Sequence, residues 1–417
     1  MLSSHICTID VGSSKIAATL VVMRAGKIFR IYADSVISGG VKKGSVVDSG
    51  QLSKAVSQVL ENLSEKSKVR IRSVYAAVSG DEIFTRRSSA VIPLTERGNK
   101  LIGAGDLRKV NRQARILGVK LEEELMHEIP LSYGIDSKRG VLNPLGLYSH
   151  RLEVQLYLVS ARLASVQALE HSINQAGFEL RDVYFSGMAT ERIIAERGPL
   201  PGINVICDLG SEVSELLITR DGVTAHIEVL PIGGQMVTSV LSHALEITPE
   251  LAEDVKRSHG VVGADHKPCA KSEILVKKGG LYAPIDVSPV PGIVTVEAKR
   301  ICDAIKKSIE KVTPCGKVHS VTVAGRAALL EGFLEALENT LGVTCRLARI
   351  QDAEMLAVVN KEQEFTGHKY INYLTCLGAV LLALRPEGAS SCVPIQASRN
   401  PVQRAINKVK EVYEEYF

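Results

Sequence analysis

"NVICDLGSEVSELLI", residues 204 to 218, reads as an altered copy of "HICTIDVGSSKIAAT", residues 5 to 19. In both, an apolar β-type stretch enters Asp-x-Gly-Ser and leaves into a second apolar stretch, so Asp10 corresponds to Asp208 and Gly12 to Gly210. A hairpin turn built from Gly and small hydroxyl residues brings backbone N–H groups together where they can cradle phosphate oxygens. The Asp at the strand end can hold a water of a Mg²⁺ ion, which keeps several of its waters when it binds phosphates. One such motif alone reads as an ordinary hairpin turn with an Asp cap. Two of them, each opening an α/β stretch, imply two related lobes that face each other across a cleft.

Composition allows this. A chain of 417 residues exceeds one ordinary core, and 45% hydrophobic with 23% charged residues is a globular balance. The net charge of +4 is too small for a nucleic-acid footprint, so no nucleic acid is expected as a partner. Eight cysteines at irregular spacings, without a C-x-x-C pair, and the lack of a secretory-type leader in the sequence fit a reduced, cytosolic setting. The most apolar stretch, "LTCLGAVLLAL" (374 to 384), is about half of what a bilayer crossing needs.

Along the chain, helical and strand periodicities alternate. "QLSKAVSQVLENLSEK" (51 to 66) places Leu52, Val56, Val59, Leu60 and Leu63 on one helical face, and "VRIRSVYAAVS" (69 to 79) is strand-like. "ASVQALEHSINQAGFELRDVYFSG" (164 to 187) reads as a helix stopped at Gly177, then a strand; "VEAKRICDAIKKSIEKV" (296 to 312) is an amphipathic helix followed by the strand "HSVTVAG" (319 to 325). Residues 84 to 163 differ in texture, charged and rich in short strands and turns, and read as a domain inserted into the first lobe.

Other motifs are weaker. "GGVKKGS" (39 to 45) imitates a P-loop, but Lys43 precedes Gly44 instead of following it, so a surface turn is expected. His259, His266 and Cys269, or Cys315 and His319, have no second matching pair at zinc spacing.

Taken together, "IDVGSSK", "CDLGSEVSE", "VTVAGRAALLEGF" and "LAEDVKRSHG" resemble the actin-like superfamily, and within it the FtsA family of bacterial cell-division proteins. The insert carries the specificity: "SVYAAVSG", "HEIPLSYGID" and "NPLGLYSHRLEVQLYLVSA" read like that family's small domain, as do "GGVKKGSVVD" and "PIGGQMVTSVLSHAL" elsewhere. The implied fold class is α/β, an actin-like two-lobed fold of ribonuclease H-like duplicated domains with an FtsA-type inserted α+β domain. The implied division of the chain is a first lobe at 1–83, 164–198 and 365–385, an insert at 84–163, a second lobe at 199–226 and 312–364 with a subdomain at 227–311, a linker at 386–399 and a terminal helix at 400–417.

The resemblance also implies ATP and Mg as cofactors. Asp10, Gly12, Ser13, Ser14 and Lys15 would form the first phosphate loop and Asp208, Gly210 and Ser211 the second, with Asp10 and Asp208 holding Mg through water. Gly233 and Gly234 would approach the nucleotide from the next turn. Glu253, Lys256 and Arg257 would wall the adenosine, and their i, i+3, i+4 spacing places them on one helical face, which is also how a solvated charged face looks. The chain departs from the family where glycines and Thr are usual: it has Ser211, Glu212 and Val213, and Gly325-Arg326 replaces Gly-Gly. A carboxylate beside a polyphosphate is repelled, and only Gly lets backbone approach closely, so weakened nucleotide binding and negligible hydrolysis are expected. Arg326 is expected to fill the adenosine pocket or to stack on the base.

Relatives of this kind form filaments of themselves and tie the tubulin-like protein FtsZ to the cytoplasmic membrane with other division proteins. The expected place is therefore the cytoplasmic face of the cell membrane at the division site. At the C-terminus, Asn400 and Pro401 make an N-cap and first helical residue, and Val402, Ile406, Val409, Val412, Tyr413, Tyr416 and Phe417 fall on one face. That helix is expected to lie on lipid, although Glu411, Glu414 and Glu415 weaken its attraction to an anionic surface. Removing the insert is expected to abolish filaments and leave the two-lobed body folded. Two other readings stand beside this one, a pilus-assembly platform like PilM and a small-molecule kinase of the superfamily; for the latter no carboxylate base can be assigned.

Overall fold

A computed structural model describes residues 3–195, 201–263, 273–278 and 281–384. The linker and the terminal helix with its seven apolar residues lie outside the described residues, as do His266 and Cys269.

Two five-stranded sheets repeat one topology. In the first, the spatial order is Glu179–Phe185, Ser73–Val78, Ser3–Val11, Lys15–Arg24, Lys27–Ile37. In the second it is Cys345–Leu347, Val318–Ala324, Ile203–Leu209, Ser214–Arg220, Val223–Leu230. Each is an antiparallel three-strand meander whose first strand also pairs in parallel with a later strand, and that one with another. The sequence repeat is thus a structural repeat, with Asp10 and Asp208 at the same place near the end of the first strand.

The central strands are covered on both faces. On one face of the first sheet lies the helix Ser49–Ser67, which starts at Asp48, whose carboxylate accepts from Gln51 N at 2.9 Å. Leu52, Val56, Val59, Leu60 and Leu63 are all fully buried, as their spacing predicts. The buried helix Leu374–Leu384 and the helix Ser186–Ile194 pack together where the lobes meet. A Cβ on Gly378 would stand 1.7 Å from Ala189 O, so the crossing needs glycine. Among the described residues no helix is long and apolar enough to cross a membrane.

The segment between the two strands Ile83–Pro93 and Arg151–Arg162 forms its own four-stranded antiparallel sheet, ordered Lys138–Val141, Glu123–Ile135, Arg151–Arg162, Ile83–Pro93. The helix Ala104–Gly118 covers one face through Leu107, Val110 and Ala114. The other face meets both lobes: Tyr157 and Val159 share a buried cluster with Phe185 and Met188 of the first and Leu217 and Ile227 of the second. Ile227 N donates to Tyr157 Oη at 3.0 Å, Thr85 Oγ1 to Ile227 O at 3.1 Å and Arg87 Nη2 to Ala225 O at 2.9 Å. The insert therefore shields the edge strand Val223–Leu230. Excising the insert would uncover an apolar seam common to both lobes.

Candidate functional site

The first hairpin closes tightly, with Gly12 N donating to Lys15 O at 3.2 Å. Lys15 leans along its own lobe and donates to Asn372 O at 2.6 Å and to Asn372 Oδ1 at 3.2 Å. The second hairpin faces it. A Cβ on Gly210 would stand 2.3 Å from Val213 O, so glycine lets the hairpin close tightly, and one on Gly233 would stand 2.3 Å from Ser211 O, so glycine there lets two turns of the second lobe touch. Gly234 N and Gln235 N, which open the helix Gly234–Ala244, donate to the carbonyls of Gly210 and Ser211 at 3.0 and 2.8 Å. Gly233 and Gly234 thus buttress the second hairpin, and the amides of Gly234 and Gln235 are already engaged there.

Carboxylates gather at the floor. Burial lifts Asp10 to about 6; Lys15 opposes the lift and Asp208 adds to it. Burial likewise raises Asp208, against the Thr190 hydroxyl, which donates to Asp208 Oδ2 at 2.7 Å, and against Lys15. Glu215, opposite Asp208 in the hairpin register, is 5% exposed and raised well above the usual range by burial and by Asp208. Its Oε2 has no well-formed hydrogen bond.

Cations gather on the other side. Glu253 accepts from Thr238 Oγ1 at 2.7 Å, from Lys256 Nζ and from Arg257 Nε at 3.0 Å. Burial alone would raise Glu253, but these partners, Lys256 foremost, hold it below the usual range. Lys256 also donates to Gly234 O at 3.1 Å and is lowered by burial. The strand Val318–Ala324 ends at Gly325, held at φ 85° with Leu209 O only 2.2 Å from where a Cβ would be. From that turn Arg326 crosses the cleft, and its Nη2 donates to Ser14 Oγ at 2.9 Å. Its guanidinium is thereby tied to the first hairpin, with Arg257 and Glu253 as charged neighbours.

Glu212 is likewise tied to the opposite lobe. The turn Lys43-Gly44, with φ of 48° and 79°, joins the short paired strands Val41–Lys42 and Ser45–Val46. Its tip is the surface turn the sequence predicts, and it is tied down twice. Gly44 N donates to Ser13 Oγ at 3.2 Å, and Lys43 N donates to the Glu212 carboxylate of the opposite lobe. Glu212 is therefore bound by the first lobe, which is a different arrangement from a carboxylate facing a polyphosphate.

The set fits a hydrated metal and its phosphates. Two half-buried carboxylates, of which Asp208 raises the proton affinity of Asp10, favour a cation between them, and Lys15, Lys256, Arg257 and Arg326 favour an anion. Among the described residues no group of three His, Cys, Asp or Glu is arranged to hold a metal directly, so a metal here would be held through its waters. Sequence reading missed Thr190, Glu215, Thr238 and Asn372. Of these, Glu215 had a signal: hairpin symmetry about the turn places it opposite Asp208.

Comparison with known proteins gives the same architecture. Residues 205–372 match the model of the cell division protein FtsA and residues 80–160 match that of the SHS2 domain inserted in FtsA. The FtsA of Escherichia coli K12 is 27% identical over 358 residues, covering 81% of this chain and 82% of that protein. The FtsA of Pseudomonas aeruginosa is 24% identical over 348 residues, covering 81% of each. Among solved structures, a PilM-PilN type IV pilus biogenesis complex superposes with a TM-score of 0.61 at 16% identity, covering 91% of this chain and 99% of that one. MreB5 of Spiroplasma citri, solved with AMPPNP, superposes with a TM-score of 0.50 at 12% identity, over 97% and 98%. These likenesses give the actin-like fold. With duplicated lobes, the SHS2-type insert and both family models in agreement, the chain belongs to the FtsA family of bacterial cell-division proteins.

Proposed function

We propose that this protein is a scaffold that polymerises into actin-like filaments and tethers FtsZ to the cytoplasmic membrane through its C-terminal helix. The observation that carries the reading is the insert. It is anchored to both lobes through Tyr157 and Ile227, and away from that seam it carries exposed apolar residues, among them Ile116, Leu117 and Leu121. Exposed apolar side chains on a rigidly held domain suit contact with a second copy or another division protein. The apolar face at 402 to 417 suits lipid.

The cleft is read as a Mg·ATP site whose role is to set the closure of the two lobes. Asp10 and Asp208 would hold the hydrated metal, the first loop would bind phosphate, and the Glu253, Lys256 and Arg257 wall would take the adenosine. Bound Mg²⁺ would supply charge neutralisation for the phosphates. The residues of the chain do the rest: Gly12 and Gly210 allow the tight turns, and Lys15 and Lys256 add positive charge.

The test is co-pelleting of the full chain with anionic lipid vesicles and with FtsZ, with electron microscopy for filaments. Pelleting with both supports the scaffold, and failure of both sinks it.

A further inference from the structure

Arg326 is out of place as a structural side chain. It leaves a turn fixed by Gly325 against Leu209, beside Asp208, and its guanidinium crosses to Ser14 of the opposite loop. There it meets a neutral hydroxyl, while its charged neighbours include Lys15, Lys256 and Arg257. The nearby carboxylate, Glu253, is already bound by Lys256 and Arg257. A half-buried cation among cations gains most from an incoming anion, and a guanidinium offers a fork of donors that matches phosphate oxygens.

The surroundings favour the same ligand. The first amides of the helix Gly234–Ala244 donate to Gly210 and Ser211 carbonyls, so this helix start offers phosphate less than a free one would. The Glu212 carboxylate, which would repel phosphate, is held by Lys43 N. We propose that Arg326 is a phosphate ligand, which by its side chain makes the contacts with the phosphate chain of a nucleoside di- or triphosphate that the amides opening the helix Gly234–Ala244 are not free to make. This rests on the reading of the cleft as a nucleotide site.

Calorimetry on the full-length protein, Arg326→Ala and Arg326→Lys tests it, with Mg·ATP, Mg·ADP, magnesium tripolyphosphate and adenosine as probes. The parent is expected to bind the phosphate-bearing probes, Arg326→Ala to lose at least tenfold for each of them and Arg326→Lys to fall between, with adenosine affinity unchanged. Loss of tripolyphosphate binding locates the effect on the phosphate chain and not on the nucleoside. Equal or tighter ATP binding by Arg326→Ala overturns the proposal, since the arginine would then only obstruct the cleft; so does a matching loss for adenosine, which would put the side chain on the base. If the parent binds none of the probes, the nucleotide reading falls as well. Circular dichroism checks folding, and should Arg326→Ala fail to fold, Arg326→Lys decides on the same criteria.

Discussion

The carboxylate of Glu212, in the hairpin that follows Asp208, accepts a hydrogen bond from the backbone N–H of Lys43, at the tip of a turn in the first lobe. Arg326 to Ser14 is a parallel link in the other direction. Glu212 and Arg326 thus join the two lobes directly.

Glu212→Ala should loosen that join. A hydrogen bond of this kind at a solvent-accessible place contributes about 0.5–1.5 kcal/mol, so the global unfolding midpoint should fall only slightly. Hydrogen exchange across residues 39 to 48 should speed up by several-fold. An unchanged rate there would show that Gly44 and Ser13 hold the turn without help.

The carboxylate floor gives a pH signature. Asp10 stands at about 6 in the folded protein against its ordinary 3.8, so the folded state binds this proton more tightly than the unfolded chain does. Its contribution to stability is fully present below pH 3.8 and is lost as pH rises through 6. Asp10→Asn removes the titration. The variant should therefore be at least as stable as the parent above about pH 7, and its relative advantage should shrink between about pH 6 and pH 4. Urea unfolding of both across this range checks it; a difference that grows on acidification would contradict the burial argument.

The seam under the insert should be costly to damage. Ile227→Ala removes a side chain buried against Tyr157 and Leu217 and should destabilise by about 2–5 kcal/mol. Tyr157→Phe leaves Ile227 N without its acceptor and should cost about 1–3 kcal/mol. Denaturant unfolding would measure both. Losses below about 0.5 kcal/mol would mean that the insert docks loosely.

The tail should act apart from the body. Deleting 400 to 417, or combining Val409→Glu with Phe417→Glu, should leave the unfolding transition unchanged and abolish vesicle co-sedimentation. Undiminished sedimentation of the truncated chain would remove the membrane role from this segment.

The sequence by itself determined the duplication, because a β-hairpin is local. Asp10-x-Gly12 and Asp208-x-Gly210 each need only a few adjacent residues to declare an apolar strand, a tight turn and a second strand, and the helical face from Leu52 to Leu63 is likewise written in one stretch of chain. It also carried enough of the insert to point to a family. What Glu212 and Arg326 do was decided only by tertiary structure. Glu212 meets Lys43 and Arg326 meets Ser14 across separations of 169 and 312 residues, and nothing in the local chemistry of either residue specifies a partner that remote. The same holds for Thr190 on Asp208 and for Tyr157 on Ile227: which polar and apolar groups satisfy one another across a cleft or a seam is fixed by how whole sheets pack, and local periodicity carries no record of it.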